Sequence, residues 1–140
     1  MAGLWSNNYG LAQKVLKAAD DTGDKVWLMP LEKEYKEMLK SKIADINNLG
    51  GKYAGATVAA LFLQEFVSKD KPFAHVDMAG TVWSTKAGAT GWGAKLITEW
   101  VCQNAQQVEE QIAKLPPEQN QATTSTDSTR KRGFFSFLRS

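Results

Sequence analysis

His75 and Asp77 are the two residues of this chain best placed by type and spacing to do chemistry together. They stand two apart in Phe73-Ala74-His75-Val76-Asp77-Met78, alternating with apolar residues. That alternation predicts a strand with Ala74, Val76 and Met78 on one face and the imidazole and carboxylate on the other. An imidazole beside a carboxylate can ligate a divalent cation, but a stable site needs further ligands. The chain has one His and one Cys, so neither a His-rich nor a multi-cysteine cluster can form. The pair therefore reads as buried polar groups satisfied by hydrogen bonds, not as metal ligands.

Other candidates carry less. Gly88-Ala89-Thr90-Gly91-Trp92-Gly93 has the glycine framing of a phosphate loop opening a helix. It lacks the Gly-Lys-Ser/Thr ending, and Lys95 comes too late to serve, so it reads as a structural loop that lets a helix pack closely on a sheet. Lys52, after Gly50-Gly51, reads as a solvated loop charge. Cys102, past Trp100-Val101, reads as an inert helix residue. No Ser/His/Asp or Cys/His nucleophilic system is present.

The elements that position these residues follow from periodicity. Ser6 or Asn7 is expected to cap a helix with Leu11, Val15 and Ala18 on its apolar side, ended by Thr22-Gly23-Asp24. Lys25 to Met29 is a short apolar segment stopped by Pro30. Leu31 to Leu39 reads as a helix, with Glu32 and Lys36 at the favourable i,i+4 spacing. Ser41 to Asn48 reads as extended or irregular, and the Asn47-Asn48 and Gly50-Gly51 pairs mark a turn with positive φ. Ala54 to Val67, rich in small apolar residues, suits a buried helix lying close on a sheet. Ser68 to Lys71 is a polar turn. Thr90 to about Leu115 reads as a long amphipathic helix, with Leu96, Ile97, Trp100, Val101, Val108 and Ile112 on its apolar side. Pro116-Pro117 breaks it.

Two regions are thus expected: a folded body, residues 1–115, and a tail, residues 116–140. Glu118 to Thr129 is almost devoid of apolar side chains and is expected to be disordered. The tail ends in Arg130-Lys131-Arg132 and Phe134-Phe135-Ser136-Phe137-Leu138, a basic-aromatic pattern with a weak tendency toward anionic membrane or a docking partner. The full chain of 140 residues carries 17 basic and 15 acidic side chains. The tail accounts for the excess, so the body is formally neutral and gives no electrostatic reason to expect nucleic acid. The single cysteine excludes an internal disulfide. Five Trp point to sizeable buried or interfacial surfaces, and the isolated chain is expected to be soluble only with difficulty or to self-associate.

Four segments in fixed order carry a family resemblance: Ala44-Asp45-Ile46-Asn47-Asn48, Gly50-Gly51-Lys52-Tyr53-Ala54-Gly55-Ala56, Ala74 through Thr81, and Gly88 through Gly93. Together they resemble the C-terminal part of the leucyl (cytosol) aminopeptidases, from about Ala2 to Val101. The resemblance implies an α/β fold, part of a mixed sheet flanked by helices, in a catalytic domain that assembles into hexamers. It implies two divalent metal ions, manganese or zinc, that activate a water and polarise the scissile carbonyl of a peptide substrate. In the family the metal ligands, catalytic lysine and catalytic arginine lie upstream of the position matching Met1. The signature N-T-D-A-E-G-R, which carries two acidic ligands and the arginine, does not occur here. No catalytic residue and no metal ligand is therefore expected in this chain, and Lys52 does not match the catalytic lysine. Ala79 and Val82 match positions that line the pocket for the substrate's N-terminal side chain, where small and branched residues suit a leucine-like group. The expectation is a C-terminal section of a metal-dependent leucyl aminopeptidase that is inactive alone, cytoplasmic, or organellar if a transit peptide precedes it. The alternatives are a non-catalytic, assembly-only fragment and a tail-directed membrane- or partner-binding protein.

Overall fold

The computed structural model describes residues 1–114. The chain divides into two units, Met1–Val101 and Cys102–Ser140. The expected disordered tail and its basic-aromatic end lie outside the described residues.

The first unit opens with a strand that periodicity does not reveal. β1 (Ala2–Ser6) buries Ala2, Leu4 and Trp5, so it is covered on both faces and shows no polar alternation. It pairs in parallel with β2 (Val26–Leu28), Leu4 opposite Leu28, and antiparallel with β3 (Ala74–Asp77), Leu4 opposite Val76. The order β2-β1-β3 is a mixed sheet.

α1 (Tyr9–Thr22) connects the parallel pair. Its cap is Asn8, whose Oδ1 accepts from the Leu11 amide at 2.8 Å, rather than Ser6 or Asn7. Those two side chains are engaged elsewhere. Ser6 Oγ donates to the Phe73 carbonyl, and Asn7 Oδ1 accepts the Phe73 amide at 2.7 Å, fixing the entry to β3. Gly23, at φ 76°, ends the helix and donates to the Ala19 carbonyl. Ala12, Val15 and Ala19 pack with Ala2, Leu4, Val26 and Leu96 in the main core, and Val76 and Met78 lie against it.

Leu31 to Leu39 departs from the α-helical expectation: Lys33–Leu39 is a 3₁₀ helix. Three residues per turn remove the Glu32–Lys36 alignment that an α-helix provides. Lys36 instead pairs with Glu65. α2 (Gly55–Gln64) stops short of Val67. Val58 and Leu61 join Leu39 in a second cluster between α2 and the 3₁₀ helix. Gly50 makes this approach possible, because a Cβ there would lie 2.5 Å from Val58 Cγ1. Positive φ in the preceding turn falls on Gly51, at 121°. α2 touches the sheet through Thr57, whose Oγ1 accepts from Trp5 Nε1 at 3.2 Å.

A small hairpin, β4 (Trp83–Ser84) with β5 (Gly88–Ala89), follows β3 and has no counterpart in the sequence expectation. α3 (Ala94–Ala113) starts four residues later than expected, since Thr90 to Gly93 are used to build the turn before it. Leu96 is buried, whereas Ile97 and Val101 of the same apolar side are about half exposed. In the second unit the described residues are the remainder of α3, with Cys102 and Val108 exposed. Among the described residues no helix is long and apolar enough to cross a membrane.

Candidate functional site

The candidate site is the turn leaving β3. Once the strand ends at Asp77, the Met78 carbonyl accepts from the Thr81 amide at 2.9 Å and the Val82 amide at 3.2 Å, and Thr81 Oγ1 also donates to it. Asp77 Oδ1 accepts the Ala79 amide at 3.1 Å. Thr90 ties the far side: its hydroxyl donates to the Thr81 carbonyl at 2.7 Å and its amide to the Val82 carbonyl at 3.0 Å. The turn, which carries Ala79 and Val82, is thus held from within by Asp77 and Met78 and from outside by Thr90. Ala79 is exposed and Val82 half-buried. Neither lines any of the four clefts described in this unit.

Behind the turn, His75 faces Trp5, with ring centroids 5.9 Å apart. Its Nε2 is shielded from solvent without a hydrogen-bond partner among the described residues. Burial pushes the imidazole pKa down from 6.5, and the Asp77 carboxylate opposes that shift more weakly. The expectation of a hydrogen-bonded pair therefore holds for Asp77, which caps the turn, and fails for His75 Nε2. Both side chains are half-buried rather than fully buried. The described residues contain no group of three or more His, Cys, Asp or Glu able to hold a metal ion.

The glycine-framed loop is structural in a specific way. Gly88, Gly91 and Gly93 have φ of 76°, 69° and 89°. The amides that open α3 point at Asp24, whose Oδ2 accepts from Gly93 at 3.0 Å and Leu96 at 3.4 Å. Asp24 is 5% exposed. Its carboxylate occupies the position at which a helix N-terminus binds an external anion, so this is not a phosphate loop. In the sequence Asp24 reads only as part of a helix stop. Its partner lies 69 residues away, and no local signal announces such a cap. Lys52 stands exposed, its ammonium 5.7 Å from the Tyr53 ring.

The catalytic domain of the cytosol aminopeptidase family matches residues 1–98. The chain belongs to the cytosol aminopeptidase family. A probable cytosol aminopeptidase of Parasynechococcus marenigrum (strain WH8102) is 52% identical over 108 residues, covering 73% of this chain and 22% of the relative. One from Cyanothece sp. (strain PCC 7425 / ATCC 29141) is 49% identical over 107 residues, covering 72% and 22%. A solved structure of a tomato leucine aminopeptidase mutant superposes with a TM-score of 0.70 at 44% identity, covering 73% of this chain and 20% of that one. The chain thus spans about a fifth of the length of the relatives it matches.

Proposed function

We propose that residues 1–115 act as the C-terminal section of a leucyl aminopeptidase catalytic domain, which removes N-terminal amino acids from peptides. The family match over residues 1–98 carries this reading. Within it, Ala79 and Val82 form part of the wall for the substrate's N-terminal side chain. Both stand in one hydrogen-bonded turn at the end of a strand, a usual border for ligand crevices in α/β folds. The chain contributes fold and pocket but no metal ligand and no acid or base. In the complete enzyme, manganese or zinc ions held by ligands from elsewhere in the domain would supply the activation of a water and the polarisation of the scissile carbonyl. Hexamer assembly and a cytoplasmic location are part of the same reading. A narrower statement belongs to the same reading: this chain by itself is non-catalytic.

Two assays separate these claims. Purified chain on leucine p-nitroanilide, with manganese or zinc, is expected to match the metal-only control, and clear turnover above it refutes the narrower statement. The pocket claim is tested in a chimaera that joins this chain to the upstream section of the Parasynechococcus relative. There, Val82→Asp places an unpaired carboxylate in an apolar pocket. A buried Leu side chain gains about 1.5–3 kcal/mol from such a pocket, so kcat/KM for leucine over alanine substrates should fall by about tenfold or more. An unchanged ratio removes Val82 from the pocket.

A further inference from the structure

The 3₁₀ helix that replaces the expected α-helix has a second consequence. With three residues per turn, Lys33 and Lys36 point to one side, whereas Glu34 and Glu37 do not. That side lines a cleft of about 450 Å³ at the carboxyl end of β1, shared with Ser6, Asn7, Glu65 and Lys69. Glu65 is the cleft's one carboxylate and is paired with Lys36. Nearby, Asp70 pairs with Lys71. Lys33 and Lys69 have no ion-pair partner among the described residues. The body of the chain is formally neutral, so this excess of cationic groups is local to the cleft.

Position and size agree with a ligand site. β1 and β2 are parallel, and the crevice beyond the carboxyl ends of parallel strands is where open α/β sheets bind ligands. The cavity falls within the range of small-molecule sites. We propose that the cleft binds a small molecule through a phosphate group, held between the Lys33 and Lys69 ammoniums with the Lys36–Glu65 pair as its floor. It is separate from the Ala79–Val82 turn and does not depend on the peptidase reading.

Equilibrium dialysis of the full chain with radiolabelled pyrophosphate tests the proposal, and works whether or not the chain self-associates. Three variants are compared with the parent. One is Lys33→Gln with Lys69→Gln. The second, Lys25→Gln with Lys86→Gln, removes the same charge from exposed sites elsewhere. The third neutralises the tail through Arg130→Gln, Lys131→Gln and Arg132→Gln. Circular dichroism melts confirm that each is folded. Lys33, Lys69, Lys25 and Lys86 are all exposed. An unfolded cleft pair is replaced by Lys33→Gln alone, judged by the same criterion. The expected result is binding by the parent, an affinity about tenfold lower for the cleft pair, and a change of less than about twofold for the other two. The proposal is overturned if the parent does not bind, if the cleft pair weakens binding no more than the control pair, or if the tail variant alone abolishes it.

Discussion

β1 and β3 are neighbours in one sheet and each carries apolar side chains, yet their surroundings differ. β1 is buried along most of its length, Leu4 completely, with α1 and the Trp5–Thr57 contact to α2 covering its two faces. Every residue of β3 is only half-buried. The apolar side of β3, Ala74 and Val76, opens into a groove of about 320 Å³ walled by Leu11, Val15, Leu96, Ile97 and Trp100. The lesson is that apolar content marks a strand for burial but does not supply the cover. Under the proposed function, the rest of the family's catalytic domain supplies it for β3.

That contrast is most easily broken by paired truncations. Leu4→Ala should cost about 2–5 kcal/mol, since it empties a fully enclosed site. Val76→Ala, on the open strand, should cost only about 1 kcal/mol. Urea unfolding of both variants decides the point, and equal losses would show that β3 is as enclosed as β1.

Asp24 tests whether the start of α3 is held to the same core. Asp24→Ala leaves the Gly93 and Leu96 amides without their acceptor, at a cost of about 1–3 kcal/mol. A change below about 0.5 kcal/mol would mean that water replaces the carboxylate freely and that α3 is secured by Leu96 packing alone.

His75 provides the smallest and most selective probe, because it lies on the face of β3 turned toward Trp5. Its folded-state pKa is lowered from 6.5 by burial, so the fold holds the neutral imidazole. The stability associated with it is fully present above pH 6.5 and is lost as pH falls through the folded pKa. Urea midpoints should therefore drop between about pH 7 and about pH 5 more in the parent than in His75→Gln. Identical pH dependence in the two would show that this face of β3 is as open to water as the groove side.

Much of this organisation is legible in the sequence. The alternation around His75 and Asp77 identifies β3, and the four ordered segments identify the family. Gly23 and Pro30 mark the stops they make. β1 escapes such reading because a strand buried on both faces has no period. The 3₁₀ helix escapes it because Glu32 and Lys36 satisfy an α-helical pairing rule, while Lys36 has a stronger claim on Glu65 across the fold. The Asp24 cap is a long-range contact, which local spacing does not encode, and the Thr90 ties join two turns through side-chain and backbone geometry that no motif announces. The proposal of Ala79 and Val82 as pocket residues is reached through family resemblance alone, and the fold adds that both stand in one turn after β3.

Amide hydrogen exchange of β1 and β3 tests the central claim most directly, measured in this chain alone and in the chimaera with the upstream section of the Parasynechococcus relative. The expected result is that β3 amides slow by about tenfold or more in the chimaera, as the groove and the open edge are covered, while β1 amides change little. Equal protection of β3 in both proteins would contradict the claim, for the chain would then already possess all the cover that this strand receives.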